Sequence, residues 1–307
     1  MKFSIVSVLN DPAIDFSHFY QRMTRVMSSL TVSDYEIIIV NNFEQHHTVF
    51  QQDWPIEDNN LVFIDLSRKF ALPNAIITGL AAAKGDYTFF ISAEQAEAPE
   101  WLLDFLKIQN ETQSDMVYAK YVKHKKNTFN RIVCYFSRQL MRIEPNMNTI
   151  LSARLMTRRY LNALLSHKER ELNLTGLCAL TGFQQDAVLL NFDDDTSQLK
   201  PSLSQKINGL IHTTISFSNR PLILAFYASI VIVLSIACFI GYLVLRYFFV
   251  GELLSGYTSL ILSIWFFSGL IVFFIGVQGL YIAKIFSEIK QRPYTIIRQI
   301  YKQDKSR

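Results

Sequence analysis

Polar residues suited to binding chemistry stand where four apolar runs of this chain stop. Phe3 to Leu9 is followed by Asn10 and Asp11, and Tyr35 to Asn41 by Asn42. Asn60 to Leu66 is followed by Ser67 and Arg68, and Tyr87 to Ile91 by Ser92, Ala93 and Glu94, with Glu97 close behind. Carboxylates, amides, hydroxyls and a guanidinium gathered in this way suit a polar or anionic ligand. A second concentration is basic: Lys120, Lys123, His124, Lys125, Lys126 and Arg131. It can meet an anionic group, or stand as a solvated loop against anionic lipid. His46, His47, His124, His167 and His212 have no ligand spacing, and Cys134, Cys178 and Cys238 form no metal-like pattern. The thiols read as reduced and buried.

The elements that must position these residues alternate strand and helix. Phe16, Phe19, Met23, Val26, Met27 and Leu30 recur at helical spacing after the first run. Pro73 suits the first turn of a helix through Ala83 that Gly85 closes, and Pro99 opens another carrying Trp101, Leu102, Phe105 and Leu106. Continuous apolar strands between helices imply a largely parallel sheet covered on both faces, an α/β class. Ligands of such sheets bind beyond the carboxyl ends of the strands, where the four polar corners fall. Asp115 to Lys120 reads as a further strand, and 128–140 and Leu155 to Leu165 read as helices. Asp193 to Gln198 is a polar break, and Ser202 to Phe217 has the spacing of an amphipathic helix, lying in a membrane interface or packed on the soluble domain.

The last third is different. No charge occurs from Pro221 to Leu245 or from Leu253 to Ala283. Each run exceeds the ~20 residues that a helix needs to cross a bilayer, so two transmembrane helices, about 221–245 and 257–283, are expected. Lys284, Lys290, Arg292, Arg298, Lys302, Lys305 and Arg307 follow the second run, and Lys206 and Arg220 precede the first, whereas the connecting loop offers Arg246 beside Glu252. Both termini are then expected in the cytoplasm. The N-terminus has no signal-sequence pattern. The expected divisions are a soluble domain 1–200, an interfacial helix 201–220, the two spans within 221–283 and a basic cytoplasmic tail 284–307. The net charge of +4 is modest and concentrated after the second run, which fits lipid headgroups and excludes nucleic acid as the expected partner.

Beyond these patterns the chain resembles the family 2 inverting glycosyltransferases, in particular those that load sugars onto polyprenyl phosphates. Val6 to Asp11 (VSVLND) resembles that family's V-P-V-(Y/F)-N-E, and Tyr35 to Asn42 (YEIIIVNN) its YEIIxVND. Leu66 to Ala71 (LSRKFA) resembles LSRNFG, and Ala75 to Asp86 (AIITGLAAAKGD) resembles AxxxGLxxAxGD. Asp115 to Lys120 resembles DMVxAKR, Arg154 to Met156 the FRLM segment, Ser216 to Leu222 the entry to the first span, and Arg292 to Tyr294 the motif after the second. The resemblance covers nearly the whole chain. It implies a GT-A (Rossmann-like) domain in a bacterial inner membrane, a nucleotide-sugar donor, a polyprenyl (undecaprenyl) phosphate acceptor, Mg²⁺ or Mn²⁺, and scope for a homo-oligomer.

Several acidic positions of the family are substituted. Ser92-Ala93-Glu94 stands at the metal-binding Asp-x-Asp, Asn42 at the nucleotide-facing Asp, Asp11 at a Glu, and Ser152 at the Asp before FRLM. Asp193, Asp194 and Asp195 replace basic and glycine residues. The resemblance assigns Glu94, Glu97 and Ser152 to the reacting centre, Glu94 to the metal, and Asp11, Asn42, Arg68 and Ser92 to the nucleotide. It assigns Lys123, Lys126 and Arg131 to the acceptor phosphate. Two carboxylates are enough for Mg²⁺ when phosphate and water complete its shell. An ionised lipid phosphate hardly needs a general base, so Ser152 is no obstacle to that reaction. Two readings follow: an active membrane glycosyltransferase, or an impaired relative that serves glycan assembly as a membrane-anchored binding partner.

Overall fold

Uninterrupted apolar strands can sit only where both faces are covered, and the apolar runs at the N-terminus occupy that position. A computed structural model describes residues 2–10, 16–30, 34–43, 58–93, 97–121, 153–169, 174–190, 220–250 and 256–302. The strands are β1 (Phe3–Leu9), β2 (Tyr35–Asn41), β3 (Leu61–Leu66), β4 (Tyr87–Phe90), β5 (Met116–Tyr121), β6 (Arg154–Thr157), β7 (Gln185–Leu190) and β8 (Ile297–Lys302). They form one eight-stranded sheet in the order β7-β5-β6-β4-β1-β2-β3-β8. Pairs β1–β2, β1–β4, β2–β3 and β5–β7 are parallel, whereas β4–β6, β5–β6 and β3–β8 are antiparallel. The sheet is therefore mixed, and less parallel than its first four strands imply.

Side chains alternate across it with the two-residue period of a strand. Ile5, Ile37, Ile39, Phe63 and Phe89 face one core, closed by α1 (Phe16–Ser29) and α3 (Trp101–Thr112) through Phe19, Met23, Met27, Leu102 and Phe105. Val6, Val8, Ile38, Val40, Ile64 and Phe90 face the other core. That side is closed by α2 (Leu72–Ala82), α4 (Arg158–Ser166) and α5 (Leu174–Leu180). Helix α2 lies so close that a Cβ on Gly79 would stand 2.7 Å from Val6 Cγ1.

Three expectations are corrected. Ala83, extended, caps α2; Gly85 instead lies flat against β1 and donates its N–H to Ser4 Oγ at 2.7 Å. Leu155 is in a strand, not a helix: it pairs with Phe89 and Val117, and the helix starts only after Thr157, whose hydroxyl accepts the N–H of Tyr160. The two-sided burial of Leu155 and Met156 outweighed the helical spacing of the residues that follow. The third concerns the basic tail. Its residues 297–302 form β8, antiparallel to β3 at the edge of the sheet. The expected helices at 128–140 and Ser202 to Phe217 lie outside the described residues.

The chain divides into two units, one of 1–128, 144–200 and 291–307 carrying the sheet, and a second of 129–143 and 201–290. In the second unit, α6 (Arg220–Val250) and α7 (Tyr257–Ile289) have 31 and 33 residues. One segment among the described residues is long and apolar enough to cross a membrane: Ser263–Ile289, with mean hydropathy 2.0 and none of its most apolar stretch buried.

Gly85→Ala tests the close approach to β1. A Cβ there would meet Ser4 N at 2.7 Å and Lys2 O at 2.8 Å, backbone atoms that cannot rotate away. Overpacking of this kind costs about 1–3 kcal/mol, so a drop of several degrees in the thermal midpoint is expected, and an unchanged midpoint would contradict the packing.

Candidate functional site

Strands β1 to β4 run in one direction, so their carboxyl ends share one edge of the sheet. The loops there are tied by their own polar groups. Asn42 is fully buried, and its N–H donates to Leu9 O at 2.8 Å. Its side-chain amide makes three further bonds. Nδ2 donates to Asn10 Oδ1 and to Phe70 O, each at 3.0 Å, and Oδ1 accepts the N–H of Phe70 at 2.8 Å. One side chain thus joins the ends of β1 and β2 to the loop after β3. Only an amide serves here, because the same group must donate to two oxygens and accept from a nitrogen. A carboxylate, as the resemblance implies for this position, could not make those donations. Asn42 is therefore a loop clamp, and its polar atoms are turned to the protein instead of to a base.

Glu97 has a comparable position. It is 4 % exposed; Oε2 accepts the N–H of Ser92 at 2.9 Å and Oε1 that of Ala153 at 3.0 Å. The carboxylate bridges the end of β4 to the start of β6, holding Ser92 in place. Arg68 is exposed on the loop after β3, with its guanidinium 4.7 Å from the Phe70 ring centroid. Asp65, also buried, accepts from Asn41 Nδ2 at 2.8 Å and lies 3.9 Å from Arg298 Nε. Arg154 is buried, with Nη1 3.8 Å from Met116 Sδ and its guanidinium 5.9 Å from the Tyr118 ring centroid. Nearby, burial pushes the Tyr160 phenol well above its ordinary value, so it stays a neutral donor, bonded to Cys178 O at 3.0 Å.

The structure thus brings Asn42, Arg68, Ser92 and Glu97 to one edge. Asp11, Glu94, Ser152, Lys123, Lys126 and Arg131 lie outside the described residues. Sequence reading missed Arg298 as a neighbour of this edge; its place among basic residues suggested topology, and no local pattern signals a strand pairing between residues 231 or more positions apart. Among the described residues no three His, Cys, Asp or Glu side chains cluster as metal ligands. Glu97 is occupied by two amides, and Ser92 offers a neutral hydroxyl. The described residues alone do not supply the charge that such an ion needs.

Asn42→Asp probes the clamp. The substitution places a carboxylate against Asn10 Oδ1 and Phe70 O, both acceptors, at a fully buried position. Desolvation and these oxygens raise the folded-state pKa of the new carboxyl above its unfolded value near 3.9. The variant should be nearest the wild type below about pH 4 and lose stability as pH rises through the folded pKa, by about 2–4 kcal/mol at neutrality. Denaturant titrations at several pH values would refute the clamp if the loss were independent of pH.

The model of "Glycosyl transferase family 2" matches residues 17–167. A protein of Mycobacterium tuberculosis described as "Putative glycosyltransferases" is 34% identical over 99% of this chain and 90% of its own length. "Uncharacterized glycosyltransferase YkcC" of Bacillus subtilis is 29% identical over 98% of the chain and 94% of its own. The "SfII prophage-derived bactoprenol glucosyl transferase" of Shigella flexneri is 25% identical over 98% of the chain and 99% of its own. With a mixed α/β sheet, polar strand ends at one edge and this similarity along nearly its full length, the chain belongs to glycosyl transferase family 2.

Proposed function

We propose that this chain is a membrane-anchored glycosyltransferase that moves a sugar from a nucleotide-sugar donor to a polyprenyl phosphate on the cytoplasmic leaflet. The observation that carries the reading is the similarity to glycosyltransferases along nearly the whole chain, in a fold whose parallel strands deliver Arg68 and Ser92 to one carboxyl edge. The full-length similarity to a bactoprenol glucosyl transferase supports a lipid phosphate as acceptor. In that reaction a phosphate oxygen forms a bond to the anomeric carbon while the bond to the nucleoside diphosphate breaks, and the diphosphate leaves with the electron pair. The acceptor is already ionised, so Ser152 in place of a carboxylate is compatible with turnover. Lys123, Lys126 and Arg131 are the cations we assign to the acceptor phosphate, and Asp11 is assigned to the nucleoside.

Strand pairing supports the membrane arrangement. Strand β8 follows α7 and is paired to β3, which supports placing the chain before α6 and the chain after α7 on the same side of a membrane. If Ser263–Ile289 crosses the bilayer, the chain crosses once more before it. Helix α6, with 31 residues at ~1.5 Å each, has the length to do so. The basic flanks support two spans with both termini in the cytoplasm.

Glu94 is the carboxylate we assign to Mg²⁺ or Mn²⁺, which would neutralise charge on the departing diphosphate. One observation favours a second reading: Asn42 and Glu97 are engaged by backbone groups. On that reading the chain has no turnover and serves glycan assembly as a membrane-anchored binding partner or regulator.

Two measurements decide between these. Cysteines placed near Gly251 should react with an impermeant reagent on intact cells, and cysteines at the C-terminus should not; the reverse pattern would overturn the topology. Purified protein should transfer radiolabelled sugar from one of a set of UDP and GDP sugars to undecaprenyl phosphate, and Glu94→Gln should lower metal-dependent transfer by about tenfold or more. Silence from the wild type, together with no nucleotide binding by calorimetry, would favour the binding partner.

A further inference from the structure

We infer that Tyr294–Lys302, outside the matched family domain, belongs to the donor site, and that Arg298 is a positioning residue for the loop Ser67–Phe70. The inference rests on the nucleotide-sugar reading above. Both backbone groups of Ser67 are held by this segment: its N–H donates to Ile296 O at 2.9 Å, and its carbonyl accepts from Arg298 Nη2 at 3.2 Å. Arg298 Nε lies 3.9 Å from Asp65 Oδ2, and Asn41 Nδ2 holds the other oxygen of Asp65 at 2.8 Å. The pairing of β3 with β8 shifts register between Asp65 and Leu66, and a break in register re-aims the chain that follows it, as a bulge does.

The segment is itself fixed upstream. Asn74 Nδ2 donates to Tyr294 O at 3.1 Å, and the hydroxyls of Thr78 and Thr295 lie 2.6 Å apart. The loop is therefore tied at its start by Ser67 and at its end by Phe70, whose N–H and carbonyl are bound to Asn42. Between these ties stand Arg68 and Lys69, both exposed. Two cations on a short loop held at both ends form a pre-organised site for an anionic diphosphate, because little backbone freedom is left to lose on binding. Without Arg298, Asp65 would lose its neighbouring positive charge and Ser67 one of its two ties.

The test uses the full chain in detergent micelles or nanodiscs, as wild type, Arg298→Ala and Arg298→Lys. Amide hydrogen exchange is read first without ligand, and UDP and GDP are then titrated separately by calorimetry. In Arg298→Ala the amides of residues 67–70 should exchange roughly tenfold faster while β1 and β2 are unchanged. Nucleotide affinity should fall about tenfold, the scale of one lost charge-assisted hydrogen bond, and Arg298→Lys should recover part of both losses. Unchanged loop exchange, a rise spread over the whole sheet, or unchanged affinity in a wild type that binds would each overturn the inference. A wild type that binds neither nucleotide would sink the donor reading and this inference with it. That outcome is distinguishable from failure of the clamp, because exchange is measured on the unliganded protein.

Discussion

Four strands that run the same way deliver four loops to one edge, and the polar groups gathered there must satisfy one another wherever water is excluded. The side chain of Asn42 resolves most of that demand. Its three hydrogen bonds reach Asn10 and both backbone groups of Phe70, while its own N–H reaches Leu9. The relative placement of the ends of β1, β2 and β3 depends on this amide. An acid at the same position would serve a ligand that carries donors; here the protein itself is the ligand.

Buried carboxylates are used in the same manner throughout the sheet domain. Glu97 joins Ser92 to Ala153. At the opposite end, Glu36 accepts from the Ser4 hydroxyl and the Lys84 N–H, which fixes the turn between α2 and β4. Asp115 takes both a guanidinium fork from Arg159 and the hydroxyl of Thr157, joining β5 to the start of α4. Each carboxylate replaces lost hydration with fixed donors, which is what makes burial of an acid tolerable. The acids of this chain are thus more evident as structural ties than as metal ligands among the described residues.

The pairing of β3 with β8 has consequences for organisation. It joins residues 61–66 to residues 297–302 across the whole apolar section of the chain. The sheet domain is therefore incomplete without a segment made after both long helices, and a family match confined to residues 17–167 does not contain it. Removing the C-terminal segment would expose the backbone edge of β3, whose strand is otherwise buried on both faces.

The sequence by itself determined the elements with strong local signals. β1 and β2 have the expected bounds, α1 buries the expected spacing, and the polar corners after β1, β2, β3 and β4 share one edge. Each depends on burial or turn chemistry that a few consecutive residues encode. The apolar runs likewise marked the two long helices. Tertiary structure alone decided the rest. Leu155 became a strand because its neighbours β4 and β5 offered unpaired edges. Asn42 and Glu97 became ties because three loops meet around them. Arg298 came to the edge of the site because β3 lacked a partner on its outer side. A residue's type states which bonds it can make, but apart from Ser92 beside Glu97 the hydrogen-bond partners of Asn42, Glu97 and Arg298 lie between 28 and 231 positions away, and only the folded sheet selects them.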